Sequence, residues 1–186
     1  MIRPRHHNLL TRTHTALIVI DMQERFRPVI DNYAQLVANM AKLIKGVRTL
    51  DIPVFYTEQY PKGLGRTDAD LLEILQGCRL FEKMRFSIAG DELSDALREY
   101  NVRQCLLCGI ETHVCVLQSA LDLDHQGFQV HIPFDAVASR HSAHRDNALE
   151  RLRQCGITVT NIESALFELL EVSGTDQFKA VSRLIK

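Results

Sequence analysis

Ala16-Leu17-Ile18-Val19-Ile20 is a run of five apolar residues, rich in β-branched side chains, that breaks at once into Asp21-Met22-Gln23-Glu24-Arg25-Phe26. A strand with no polar alternation is buried on both faces, as in a parallel sheet covered by helices. Outward from it, the runs Val54-Phe55-Tyr56, Cys105-Leu106-Leu107-Cys108, Val130-His131-Ile132 and Thr158-Val159-Thr160 have the same character, and Leu80-Phe81 falls where the alternation needs a further strand. Helical patterns separate them. In Asp31 to Leu50 the residues Leu36, Met40, Leu43, Ile44, Val47 and Leu50 recur at helical steps, with similar stripes in Asp91 to Tyr100, Val114 to Gln126, Ser142 to Gln154 and Ser164 to Leu170. Strands alternating with such helices predict βαβ units, hence an α/β fold with a parallel sheet, helices on both faces and right-handed crossovers.

Composition narrows the classes of function. The 186 residues carry 22 Lys+Arg against 23 Asp+Glu, a net charge of -1, so the electrostatic footprint of a nucleic-acid or anionic-membrane binder is missing. No apolar run approaches the roughly 20 residues of a membrane span. No repeat, charge block or linker marks a boundary, so residues 1–186 are read as a single domain, with 1–14 as a flexible or peripheral segment. That segment lacks the apolar centre of an export signal, and a weak mitochondrial address stays open. The five cysteines, Cys78, Cys105, Cys108, Cys115 and Cys155, are an odd set too sparse for a disulfide scaffold. A reducing, cytoplasmic location is expected, with four of them as inert packing.

Open parallel sheets bind ligands beyond the carboxyl ends of their strands. The segment after the first strand holds no glycine, so neither a dinucleotide fingerprint nor a phosphate loop forms there, and no cofactor is expected. After the third strand comes Glu82-Lys83-Met84-Arg85-Phe86, and after the fourth Gly109-Ile110-Glu111-Thr112-His113-Val114-Cys115. Cys115 falls where the helical stripe begins. A thiol there faces unpaired backbone N–H groups and the positive end of the helix dipole, which favour thiolate. If the first and fourth strands are neighbours, Asp21 lies beside Cys115, and Lys83 from a flanking strand would orient Asp21 and steady developing negative charge.

With Ala16-Leu17-Ile18-Val19-Ile20-Asp21-Met22-Gln23 and Phe26, Lys83-Met84-Arg85-Phe86-Ser87, and Cys108-Gly109-Ile110-Glu111-Thr112-His113-Val114-Cys115-Val116, the chain resembles the isochorismatase-like cysteine hydrolases, from Thr15 to about Lys179. That family includes nicotinamidases and N-carbamoylsarcosine amidohydrolases. The resemblance implies a three-layer, Rossmann-like fold with a six-stranded sheet in the order 3-2-1-4-5-6. It implies Cys115 as nucleophile, Asp21 as general base and Lys83 as third member. It further implies a cis peptide at Ile110-Glu111, turning the Glu111 N–H inward to form an oxyanion hole with that of Cys115. The expected partner is a small molecule with an amide, imide or carbamoyl bond, and the expected assembly a homo-oligomer. Nicotinamide-specific members carry an aspartate and histidines after the second strand to hold a metal. Here that loop reads Glu58-Gln59-Tyr60-Pro61-Lys62-Gly63-Leu64, without histidine, so no metal site is expected and the pattern fits an uncharacterised branch.

Blander readings stand beside these. Cys115 would serve as a small apolar helix residue, Asp21 as a turn or cap residue, and Glu82-Lys83-Met84-Arg85 as a solvated stretch in which Arg85 could replace Lys83. His113 lies two residues from Cys115, which do not face each other on a helix, so it is read as a pocket wall or supporting residue. Gln23, Phe26, Tyr60 and Phe86 are pocket-wall candidates, core burial being the other reading of the aromatics. Cys105 and Cys108 lie three apart in a strand and so on opposite faces, which disfavours a redox pair. His141 and His144 read as surface residues. A non-catalytic thiol protein, either a redox sensor or an interaction module on the same scaffold, is the alternative from another class.

Overall fold

Thr15–Ile20 is β1, and its side chains divide between two apolar layers: Leu17 and Val19 enter one, Ala16, Ile18 and Ile20 the other. The computed structural model describes residues 5–186. Beside β1 lie β2 (Val54–Gln59), β3 (Arg79–Lys83), β4 (Gln104–Ile110), β5 (Gln129–Pro133), β6 (Val137–Ala138) and β7 (Thr158–Thr160), all paired in parallel. The order is β3-β2-β1-β4-β5-β7, with β6 against the end of β4 at Gly109 and Ile110.

The sheet therefore has seven strands rather than the six expected, and the last in the row is the seventh in the chain. The extra strand is two residues long, too short for any periodic signal. The chain order of the sheet otherwise follows the expectation.

The helices are α1 (Tyr33–Thr49), α2 (Pro61–Leu64), α3 (Ala69–Ile74), α4 (Asp91–Glu99), α5 (Leu117–His125), α6 (Ser142–Gln154), α7 (Ile162–Leu170) and α8 (Asp176–Ile185). On one face Met40, Leu43 and Ile44 of α1, Leu166 of α7 and Val181 of α8 cover Leu17 and Val19. On the other, Leu97 of α4, Leu123 of α5 and Leu152 of α6 cover Ile18 and Ile20. Each such fully buried leucine or isoleucine contributes about 1.5–3 kcal/mol relative to leaving it in water.

Three boundaries differ in ways that matter for the site. β2 runs on to Gln59 and β3 to Lys83, so Thr57, Gln59 and Lys83 are strand residues rather than loop residues. Polar residues at strand ends break the apolar run while the backbone pairing, Gln59 opposite Lys83, continues. The helix expected from Val114 starts instead as a wide π-turn over Thr112–Val116 that runs into α5.

Residues 5–14 are docked. Leu10 is fully buried, its N–H donates to Glu168 Oε2 at 2.9 Å, and Thr11 N–H donates to Gln104 Oε1 at 2.7 Å. A buried leucine and hydrogen bonds to the half-buried Glu168 and the buried Gln104 hold that part against the domain; residues 1–4 of the segment lie outside the described residues.

Candidate active site

Asp21 follows β1 directly and takes a left-handed φ of 51°, a conformation that aspartate tolerates better than most residues. Its carboxylate is buried. Thr57 Oγ1 donates to Asp21 Oδ1 at 2.7 Å, and Lys83 Nζ donates to Asp21 Oδ2 at 2.6 Å. Lys83 Nζ also meets Gln59 Oε1 at 2.7 Å and the carbonyl oxygens of Phe86 at 3.0 Å and Arg85 at 3.3 Å. Arg85 thus offers only its carbonyl, and the ammonium is that of Lys83.

Cys115 reaches the same place from β4. Ile20 pairs with Gly109, so the chain leaving β4 climbs beside Asp21, and the π-turn presents the Cys115 thiol to both Asp21 and Lys83. The register depends on Gly109, whose φ of 120° is closed to other residues and whose Cβ would strike the carbonyl of Ile20. The Cys115 thiol is pushed up to about 12, first by burial and then by the Asp21 carboxylate, with Lys83 opposing. Burial and the facing carboxylate thus work against the thiolate that the helix start favours, which leaves the proton for a base to remove.

The Ile110-Glu111 peptide bond is cis. Glu111 is buried, and its Oε2 accepts from both the backbone N–H and the Nε of Arg140, at 3.0 and 3.1 Å. The Glu111 carbonyl accepts from the N–H groups of Val114 and Val116, which ties the turn that carries Cys115. Among the pocket-wall candidates, His113 bonds Ser139 Oγ through Nδ1 at 2.9 Å, and its ring packs 4.9 Å from that of His144. Partial burial holds the His113 imidazole below its ordinary range, Glu111 opposing and His144 and Arg140 adding to the shift.

Gln23 is fully buried: its amide accepts from Gln59 N–H at 2.8 Å and donates to the carbonyls of Gln59 and Gly65 at 3.0 and 2.7 Å. It ties loops together and presents no surface to a ligand, contrary to the pocket-wall expectation. Phe26 is half-buried against the α1 layer, while Tyr60 and Phe86 are about half exposed. A cavity of about 340 Å³ opens beside Lys83, lined by Thr57, Met84, Arg85, Ser87 and Ile88 among others, and none of these candidates lines it.

Cys105 and Cys108 are fully buried in opposite layers, and burial raises both thiols well above the ordinary range. Cys78 is half-buried beside Arg48, whereas Cys155, expected as packing, is exposed because it caps the C-terminus of α6. His141 and His144 are exposed. Among the described residues no group of three or more His, Cys, Asp or Glu is placed to hold a metal, and Glu58 engages Oε1 with Thr67 N–H and Oγ1. The sequence reading missed Thr57, Gln59 and Arg140. The first two were hidden by the early strand end, and Arg140 carries no local signal.

A doubly wound sheet with these groups at its carboxyl edge defines a class, the isochorismatase-like hydrolase fold. The sequence matches the isochorismatase domain family over residues 15–164. It is 46% identical over 168 residues to isochorismatase domain-containing protein 1 of Danio rerio, covering 89% of this chain and 59% of that protein, so the chain spans about three-fifths of that relative's length. With isochorismatase domain-containing protein 2A of Mus musculus it shares 41% identity over 170 residues, 91% of this chain and 82% of the relative. The structure of MAR1 ribonuclease from Caenorhabditis elegans superposes with a TM-score of 0.91 at 38% identity, covering 95% of this chain and 92% of that one. The chain belongs to the isochorismatase family. Among the described residues no helix is long and apolar enough to cross a membrane.

Proposed function

We propose that the protein is a cysteine hydrolase of small-molecule amide, imide or carbamoyl C–N bonds. The observation that carries this reading is the Cys115 thiol facing Asp21, whose Oδ2 lies 2.6 Å from Lys83 Nζ. In this reading Asp21 takes the thiol proton as Cys115 adds to the carbonyl carbon, and the N–H groups of Glu111 and Cys115 hold the oxyanion. The C–N bond then breaks as Asp21 returns the proton to the leaving nitrogen, leaving a thioester on Cys115. Asp21 next deprotonates water, which adds to the thioester; the C–S bond breaks and the acid and free thiol are released.

A thiol whose ionisation is opposed by burial and a facing carboxylate fits general-base catalysis better than a preformed thiolate. It also disfavours the redox-sensor alternative, because a sensor works through a thiolate and a nearby resolving thiol, while Cys105 and Cys108 are sealed inside β4. The name ribonuclease belongs to the nematode protein; the net charge of -1 here gives no basic footprint for RNA. A cytoplasmic location, supported by five unpaired cysteines, and assembly as a homo-oligomer complete the proposal. Turnover of a panel of amides, ureides and hydroxamates, with an RNA oligonucleotide alongside and Cys115→Ala as the blank, tests it. C–N cleavage lost in the variant is expected; RNA cleavage alone, or turnover unaffected by the substitution, overturns it.

A further inference from the structure

We propose that Gln59 is a positioning residue that holds the Lys83 ammonium against Asp21 and thereby sets how readily Cys115 gives up its proton. The proposal rests on the reading of Cys115, Asp21 and Lys83 given above. Gln59 ends β2, the strand between those that carry Asp21 and Lys83, and is almost fully buried.

Every hydrogen-bonding group of Gln59 has a partner. Oε1 accepts from Lys83 Nζ at 2.7 Å, Nε2 donates to the Met84 carbonyl at 2.9 Å, the backbone N–H donates to Gln23 Oε1 at 2.8 Å, and the carbonyl accepts from Gln23 Nε2 at 3.0 Å. The amide cannot be flipped, since that would aim its N–H groups at the ammonium and its oxygen at a carbonyl. Gln23 fixes the backbone, and the backbone fixes the amide.

An ammonium has three N–H groups. Those of Lys83 meet Asp21 Oδ2, Gln59 Oε1 and the Phe86 carbonyl at 2.6, 2.7 and 3.0 Å, which leaves none for a substrate. Lys83 therefore acts through Asp21 and on the charge of Cys115, and its placement depends on the one neutral side chain that grips it. Glutamine suits the position because it accepts from the cation and donates to Met84 without adding charge. A glutamate would lose the donor and compete with Asp21 for the ammonium.

The test follows iodoacetamide alkylation of Cys115 in the full-length protein from about pH 7 to about pH 11, with peptide mass mapping to separate it from Cys78 and Cys155. Asp21 and Lys83 are the charged groups that face the thiol, so its profile reads their balance. Gln59→Glu is expected to slow Cys115 alkylation about tenfold at about pH 9, a shift of one pH unit, and Gln59→Met about threefold. Should Gln59→Glu fail to fold, Gln59→Met, close to glutamine in volume, decides. Unchanged profiles, with or without a loss in melting temperature, make Gln59 structural only and overturn the proposal. Lys83→Met is the control: if it leaves the profile unchanged, the reading of Lys83 itself fails; if it shifts the profile and the Gln59 variants do not, only the role of Gln59 fails.

Discussion

Lys83 Nζ lies 2.6 Å from Asp21 Oδ2 although their strands are not neighbours: β2 runs between them. The intervening strand grips both ends of the pair, Thr57 through the carboxylate and Gln59 through the ammonium, each at 2.7 Å. The two groups are nearly or fully buried, with side-chain exposures of 1% and 10%, so the pair needs these extra hydrogen bonds to offset its desolvation. The result is a carboxylate held rigid in front of Cys115.

Asp21→Asn should move chemistry and thiol acidity in opposite directions. Removing the facing carboxylate removes a cause that raises the thiol to about 12, so Cys115 should ionise at lower pH and alkylate faster near neutral pH. Turnover should fall by about 100-fold or more, because the base is gone. A Cys115 alkylation rate that is unchanged or slower in the variant would contradict the pairing.

Gly109→Ala should be among the most damaging small substitutions. Its Cβ would strike the Ile20 carbonyl in the adjacent strand, at a φ of 120° that alanine does not adopt. Destabilisation of more than about 3 kcal/mol is expected in chemical denaturation, since the register joining Asp21 to the Cys115 turn must give way. A variant as stable as wild type would show that β1 and β4 are not locked here.

Arg140→Ala leaves the buried Glu111 carboxylate with the Arg140 backbone N–H but without the guanidinium. The cost expected from thermal melts is about 1–2 kcal/mol, below that of a fully stranded charge. Turnover should fall as well, because Glu111 precedes the turn that carries Cys115.

Acid stability should depend on His131. Its ring is fully buried in β5 with neither nitrogen partnered, and burial pushes it down to about 4. A folded pKa below the unfolded value of 6.5 means the unfolded chain binds the proton first. The contribution is present above about pH 6.5 and is lost as pH falls towards about 4, where the accumulated loss reaches about 3 kcal/mol. His131→Leu should flatten that part of the stability profile while remaining as stable as wild type at pH 7. A profile that keeps its slope would assign the acid sensitivity elsewhere.

The apolar runs of β1, β4 and β5 made the sheet legible, because strands buried on both faces cannot hide their composition. Asp21, Lys83 and Cys115 were legible as residues that follow or end such runs. What escaped were features with no local period. β6 has two residues, the wide turn at Thr112–Val116 looks like ordinary helix in sequence, and Arg140 meets Glu111 only through the tertiary fold. Thr57 and Gln59 were passed over because polarity was taken as the end of β2, whereas the strand and its pairing continue through Gln59. The forces on the thiol were legible only in part: the helix start was visible in the sequence, but the depth of burial that opposes it was not.

The central claim is that Cys115 carries the acyl group. Acid-quenched reactions with the amide, ureide and hydroxamate panel, digested and mapped by mass spectrometry, test it most directly. The account predicts an acyl adduct on the Cys115 peptide of the wild-type protein, absent from Cys115→Ala together with turnover. Turnover that persists in Cys115→Ala, or an acyl adduct on Cys78, Cys105, Cys108 or Cys155 instead, would contradict it.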